Sequence, residues 1–507
     1  MDGVLRQRDE ASAAGSLAGP AASLLRPGDT CWRVERADRM AVIVDAADYF
    51  SVLKHAMLRA RHQILLIGWD FDTRIRLEPD RRRDECPDRL GAFLMHCVAS
   101  RPGVHIHVLK WRLSMLQATS RGMTPMFILD WMTNKRLQYR LAGDHPVGAC
   151  HHQKIVVIDD SLAFCGGIDM TADRWDTRAH HDHDHHRRRP NGFRYDPFHD
   201  VTTAVDGAAA RALGELGRER WLSATGEKLP APPPGGDAWP DLLRPDFRDV
   251  DVGIARTHPD YEGPEVREIE RLWLAAIASA RRSIYIEAQY LASRRIGLAL
   301  YRRLEEPDGP EIVVVNPLTT KGWLEEQAMG TARAHIVKEL CAADAGRGRF
   351  RIYTPRAARG TPIYVHAKVL VVDDRFLRIG SSNINNRSMG FDTECDVAIE
   401  ASPDRPEMSA RILALRDGLV AEHLDRTIEE VRSALAAHGG SLCRAIEDLR
   451  RRPGRTLAPL ECPDPGDVGL LLETEILDPE RPRRPWQALL NRVDWNFRRL
   501  RRRQRKE

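Results

Sequence analysis

The sequence predicts an α/β fold built by duplicating one α/β unit. Three observations carry this. The chain has 507 residues, too many for one ordinary core. A His-x-Lys motif occurs twice, at His152/Lys154 and His366/Lys368, 214 residues apart. Upstream of each, a helix-like stretch leads into Ala-Arg-x-x-Ile, at Ala60–Ile64 and at Ala280–Ile284, 220 residues apart. Motifs recurring in the same order are the mark of a repeated unit.

In chain order, residues 1–35 are expected to form a flexible leader. A first half then spans 40–224. It begins with a helix over Tyr49–Arg61, followed by the apolar run Gln63–Asp70 and a short strand at Val104–Leu109. Residues 225–247 read as a linker, because Lys228-Leu-Pro-Ala-Pro-Pro-Pro-Gly-Gly236 can continue neither helix nor strand. The second half, 248–426, repeats the pattern with a helix over Val266–Arg281, the run Ser283–Tyr290 and a strand at Glu311–Val315. Residues 427–480 are expected to be a loose, partly helical appendage. A basic tail runs from Arg481 to Glu507.

Composition is globular, with 42% apolar and 30% charged residues. The net charge of +4 points to no class of partner. Nine cysteines without regular spacing suggest reduced, buried thiols and a cytoplasmic setting. The N-terminus lacks the basic start and compact apolar run of a secretory signal. No run of about 18 apolar residues is present, so no membrane-spanning segment is expected.

The two motifs occupy about 146–173 and 360–387. The first reads His152-Gln-Lys154, Ile155–Ile158, Asp159, then Gly166, Gly167 and Asp169. The second reads His366-Ala-Lys368, Val369–Val372, Asp373, then Gly380, Ser381 and Asn383. The β-branched and leucine runs are strands. Residues two apart on extended chain share a face, so each histidine points the same way as its lysine.

The motif residues His152, Lys154, Asp159, His366, Lys368 and Asp373 form the candidate catalytic set. Within it, Asp159 and Asp373 lie an odd number of residues from their histidines and in Asp-Asp turns. They are therefore expected to anchor the fold rather than to move protons.

Paired histidines and lysines suit phosphodiester chemistry. One neutral imidazole can attack phosphorus, and a protonated one can donate to the leaving oxygen. The lysines balance charge on non-bridging oxygens, so this chemistry calls for no metal or other cofactor. Ser381, Asn383 and Asp169 are candidates for phosphate binding or for support around it. A carboxylate on the far ring nitrogen would set each imidazole apart from the other. Asp200, and either Glu394 or Asp396, are candidates for that role.

These residues resemble the phospholipase D superfamily, whose members carry two HKD motifs, and within it the soluble enzymes. The resemblance covers about 40–425. It includes Gly166-Gly-Ile-Asp169 through Arg174-Trp-Asp176, the segment Phe198-His-Asp200, Ile286-Glu-Ala-Gln-Tyr290, and Ile379-Gly-Ser-Ser-Asn383 through Met389. It implies two α/β sandwich halves related by a pseudo-twofold, with one shared active-site cleft. It implies hydrolysis of glycerophospholipids such as phosphatidylcholine to phosphatidic acid, with water or an alcohol as acceptor. It also implies a phosphohistidine on His152, with His366 as the acid; the residues alone do not set that order. Gly390-Phe-Asp-Thr-Glu394 is similar as well to cardiolipin synthases, relatives that transfer a phosphatidyl group to another lipid. A nuclease of the same superfamily is a third, weaker reading, and nucleic acid is disfavoured as a partner.

Two features stand outside this pattern. His180-His-Asp-His-Asp-His-His186 reads as a polar loop at the cleft entrance rather than a metal site. The tail Arg481–Glu507 spaces Trp486, Leu489, Leu490, Val493, Trp495, Phe497 and Leu500 among arginines as in an amphipathic helix, suited to peripheral binding at an anionic membrane, with an unstructured basic tail or a nucleic-acid contact as the alternative. Oligomeric state is left open, and a monomer suffices for the chemistry.

Overall fold

A computed structural model describes residues 23–79, 86–111, 135–261, 263–320, 329–461 and 478–479. The basic tail and most of the expected leader lie outside the described residues.

The strands of the first half are β1 (Arg33–Val44), β2 (Gln63–Gly68), β3 (His105–Trp111), β4 (Leu137–Ala142), β5 (Ile155–Ile158), β6 (Leu162–Gly166), β7 (Phe198–His199) and β8 (Val201–Asp206). Those that follow are β9 (Phe247–His258), β10 (Val266–Arg267), β11 (Ser283–Glu287), β12 (Glu311–Val315), β13 (Phe350–Arg356), β14 (Tyr364–Val365), β15 (Val369–Val372), β16 (Phe376–Gly380), β17 (Glu394–Glu400) and β18 (Thr456–Pro459).

One continuous sheet holds both halves. Its order is β18-β13-β12-β11-β15-β16-β17-β9-β1-β8-β6-β5-β2-β3-β4. Outward from the central pair β1–β9, the first six strands on one side repeat those on the other, and β18 adds a seventh on the second-half edge. The sense repeats too: β2–β3–β4 and β11–β12–β13 run parallel, and β5 and β15 join them antiparallel. The central pair is itself antiparallel, as a twofold relation between halves requires.

Alternation along the strands builds three cores. In β5, Ile155 and Val157 face a core shared by both halves, while Val156 and Ile158 face a core of the first half alone. In β15, Val369 and Val371 face the shared core, and Leu370 and Val372 a core of the second half. The shared core is closed by the helices Gly207–Thr225, Pro406–Leu424, Ile428–Ala437 and Leu442–Leu449. Each fully buried Val, Ile or Leu contributes about 1.5–3 kcal/mol. Eight such residues in two short strands make the segments after the histidines rigid.

Three expectations need correction. Residues 23–35 are not a loose leader: Leu24, Leu25 and Cys31 are buried, and β1 starts at Arg33. The appendage is not loose where described, because β18 adds an antiparallel edge strand to β13 and Leu457 enters the shared core. Not every cysteine is buried, since Cys341 is exposed and Cys86 half-buried. Among the described residues, no helix is long and apolar enough to cross a membrane.

Candidate active site

Each histidine motif lies directly before a fully buried strand, and each is tied by its backbone to the opposite half. His152 N–H donates to Thr393 O at 2.9 Å, and His366 N–H donates to His199 O at 2.8 Å. The parallel pairing of β7 with β14 extends the second link.

The side chains cross in the same way. His152 Nδ1 lies 3.0 Å from both oxygens of Glu394, a second-half residue. His366 Nδ1 lies 2.6 Å from Oδ2 of Asp200, a first-half residue. A ring whose Nδ1 is engaged by a carboxylate has Nε2 left for chemistry.

Lys154 Nζ donates to His152 O at 2.9 Å and lies 3.3 Å from Asp169 Oδ2. Lys368 Nζ donates to His366 O and, at 3.2 Å, to Gln289 Oε1. Both lysines are buried.

The charges of the two motifs act on one another across the halves. Burial lowers His366 well below the usual imidazole range, and the charges of Lys368, Arg174, Lys154 and His152 push it further. Burial lowers Lys368 to about 7; Lys154 adds to this, while Asp200 and Glu394 oppose it. First-half charges therefore act directly on second-half groups.

The two carboxylates differ. Burial pushes Asp200 up to about 6 against the pull of Lys368. Burial also favours a neutral Glu394, but His152, Lys154 and the Ser381 hydroxyl outweigh it and hold Glu394 below the usual range. Glu394 is thus firmly anionic.

The supporting residues sort by what they touch. Ser381 Oγ donates to Glu394, as does Ser388 Oγ at 2.6 Å, so Ser381 serves the carboxylate. Asp169 accepts from Trp69 N–H at 3.0 Å besides facing Lys154. Asn383 Oδ1 is buried without a hydrogen-bond partner, which leaves side-chain capacity for a ligand. Gly167 and Gly380 are required by close approach: a Cβ would lie 2.1 Å from Asp200 Oδ1 at the first and 1.9 Å from Asp396 Oδ1 at the second.

Asp159 and Asp373 leave the catalytic set. Asp159 accepts from the backbone N–H groups of Arg61, His62 and Gln63 at 2.6–2.9 Å. Asp373 accepts from those of Arg281, Arg282 and Ser283 at 2.8 Å. Each sits in a left-handed turn, φ 51° and 53°, at the far end of its strand. Seven extended residues place each roughly 20 Å along the chain from its histidine. They pin the starts of β2 and β11. Asp159→Ala loses three charge-assisted bonds and is expected to cost about 3 kcal/mol of stability. Denaturant unfolding would measure this, with the rate per folded molecule largely kept.

Asp396 is also not a histidine partner. It pairs with Arg378, whose guanidinium lies over the Trp273 ring, and accepts from Ser382 N–H at 3.1 Å. Two residues went unnoticed in the sequence. Gln289 orients Lys368 and is itself held between the hydroxyls of Tyr290 and Tyr364. Arg174 lies over the Phe198 ring, its charge reaches His366, and its Nε is buried without a hydrogen-bond partner. Its place in Asp173-Arg-Trp-Asp176, inside a segment already singled out, was the available signal.

The expected polar loop is correct only in part. His181, His183 and His185 are exposed, but His180 is fully buried among carboxylates. Asp182, His183 and Asp184 line a cavity of about 540 Å³ together with Phe198, Leu318 and Tyr364, and Phe198 packs on His366. The loop thus shares a cavity wall with Phe198, the ring beside His366.

Residues 273–414 match the family described as cardiolipin synthase, PLD-like domain. The chain is 25% identical to phospholipase D alpha 1 of Nicotiana tabacum, over 73% of this chain and 63% of that protein. It is 24% identical to phospholipase D alpha 2 of Oryza sativa subsp. japonica, over 68% and 59%. It therefore spans about three-fifths of the length of these relatives. Among solved structures, a phosphatidylserine synthase from Haemophilus influenzae aligns over 80% of this chain and 95% of its own, at 11% identity and a TM-score of 0.49. A phospholipase D family member, Nuc from Salmonella typhimurium, covers 34% of this chain and 92% of its own, at 21% identity and a TM-score of 0.23.

Proposed function

Because this chain belongs to the phospholipase D superfamily, we propose that it cleaves the head-group phosphodiester of a glycerophospholipid such as phosphatidylcholine, through a phosphohistidine on His152. The observation that carries this is the crossed pairing of two imidazoles with carboxylates of opposite halves.

In the first step, His152 Nε2 attacks phosphorus and the bond from phosphorus to the head-group oxygen breaks. The His152 ring then holds phosphorus on Nε2 and a proton on Nδ1, a cation that anionic Glu394 stabilises. His366 gives its proton to the departing oxygen. The empty site favours neutral His366, and an arriving phosphate anion favours the protonated form. In the second step, His366 takes a proton from water, the water oxygen attacks phosphorus, and the phosphorus–nitrogen bond breaks. Lys154 and Lys368 balance the non-bridging oxygens, and the Asn383 amide N–H donates to them. Phosphatidic acid leaves, and an alcohol in place of water gives a phosphatidyl alcohol. The protein works at the membrane surface, and the basic tail is its contact there.

A second reading is transfer of the phosphatidyl group to another lipid alcohol, favoured by the cardiolipin synthase-type match over 273–414. One assay separates the readings. Purified protein is given vesicles of phosphatidylcholine and phosphatidylglycerol with a short primary alcohol, and separately DNA. Phosphatidic acid and phosphatidyl alcohol support the proposal. Cardiolipin as sole product supports lipid transfer, and DNA cleavage without lipid turnover contradicts both.

Lys368 gives the site a pH dependence. Its ammonium is lost as pH rises through about 7 in the empty site. A monoanionic phosphonate ester, which keeps its own charge over this range, should inhibit progressively less well from pH 6 to pH 9. Inhibition that strengthens with pH would remove Lys368 as an anion-binding group.

A further inference from the structure

Behind the catalytic histidines lies a second, fully buried cluster that the phosphodiester chemistry does not use. From these residues we propose a structural divalent-metal site of the zinc type, with Asp45, His180, His199 and Glu422 as ligands.

Four approaches between these groups have the length of a tetrahedral edge. His180 Nε2 lies 3.3 Å from Asp45 Oδ2 and 3.1 Å from Glu422 Oε1. His199 Nδ1 lies 3.2 Å from Asp45 Oδ1 and 3.1 Å from the same Glu422 oxygen. Zinc bound to nitrogen and oxygen at about 2.0 Å has tetrahedral edges of about 3.3 Å. One ligand atom from each residue falls within 4.8 Å of all the others.

Two of these atoms, Asp45 Oδ2 and His199 Nδ1, are buried and make no hydrogen bond. Their residues are 1% and 0% exposed. Both atoms lie at ion-pair distance from opposing groups yet outside hydrogen-bond geometry, an arrangement that suits metal ligands gathered around one ion.

The surroundings match those of a metal centre as well. His180 Nδ1 is engaged by Asp176 Oδ2 at 3.0 Å, and His199 Nε2 by Glu287 Oε2 at 2.8 Å. A metal-binding imidazole characteristically gives its other ring N–H to a carboxylate. Charge balance agrees. Among the described residues, the carboxylates Asp45, Asp176, Glu287 and Glu422 meet two guanidiniums, Arg178 on Glu422 and Arg187 on Asp176, and Glu287 also meets the His423 imidazole at 3.0 Å. The remaining two negative charges are balanced by a divalent cation and neutral imidazoles. Binding displaces one proton from His180 Nε2 and one from His199 Nδ1, so the net charge is unchanged.

The ligands come from far apart in the chain. Asp45 follows β1, His180 lies in the His-rich loop and His199 ends β7, all in the first half; Glu422 lies in the second-half helix Pro406–Leu424. The ion would tie the halves together one residue from Asp200, the partner of His366. Asp200 N–H also donates to Asp45 Oδ1 at 3.1 Å. The metal's role is therefore positioning, not contact with substrate.

The test is metal analysis of the full chain, expressed with added zinc and dialysed without chelator. About one zinc per chain is expected, released only on unfolding and detected with a chromophoric chelator. Reloading with Co²⁺ should give the visible absorption of a tetrahedral site. His180→Ala should fall below about a tenth of an equivalent, while His183→Ala in the exposed part of the loop and His152→Ala should keep the metal. If His180→Ala does not fold, the wild-type protein still decides: unfolding it in strong chelator, refolding it without metal and adding zinc should raise Tm by several degrees. Metal far below one equivalent, with Tm unmoved by added zinc, would overturn the proposal. So would full retention of metal by folded His180→Ala.

Discussion

His152→Ala should lose phosphodiester turnover by about a thousandfold or more while remaining folded. The imidazole is the only part of this residue that the chemistry uses, and its backbone tie to Thr393 O survives the change. Glu394 keeps the Ser381 and Ser388 hydroxyls, so its charge is not stranded. His366→Ala should lose a similar factor, since Asp200 keeps its bond from Val201 N–H at 2.9 Å. The measurement is kcat on lipid vesicles beside a thermal melt of each variant. A folded variant with near-normal turnover would take that histidine out of the mechanism.

The second large effect is expected at Glu394, which touches no substrate. Glu394→Gln keeps the shape but removes the charge that stabilises the cationic His152 ring. A drop in kcat of about a hundred- to ten-thousandfold should follow, with KM changed little, as when the carboxylate behind a catalytic imidazole is neutralised. Asp396→Asn is the matched control, two residues along the same strand. It disrupts the Arg378 pair and should cost stability, yet the rate per folded molecule should stay close to that of the parent. Equal kinetic losses in both variants would mean that Glu394 acts only through packing.

The contrast between these neighbours shows what the sequence could and could not say. The strands after the motifs were legible because β-branched runs have few alternatives, and β5, β12 and β15 match the expected bounds. The duplication was legible because the motifs recur in order. The anchoring role of Asp159 and Asp373 followed from the odd spacing, although their removal from the catalytic set needed the backbone bonds to be seen. Glu394 and Asp396 could not be told apart, because residues two apart share a face. The choice is made by the register of His152 against Thr393, a contact 241 residues long. The crossing of carboxylates between halves is equally long-range. β18 was obscured by its Pro- and Arg-rich flanks, since edge pairing satisfies backbone groups without an apolar signature. His180 was masked by its exposed histidine neighbours, and its burial comes from residues on three other elements.

The central claim is that the two halves bring His152 and His366 to opposite sides of a single phosphorus. The most direct measurement is a crystal structure of the protein soaked with vanadate or tungstate. The expected result is one oxyanion between the two Nε2 atoms, with Lys154 and Lys368 on its remaining oxygens. Two anions in separate pockets, each beside one histidine, would contradict the claim.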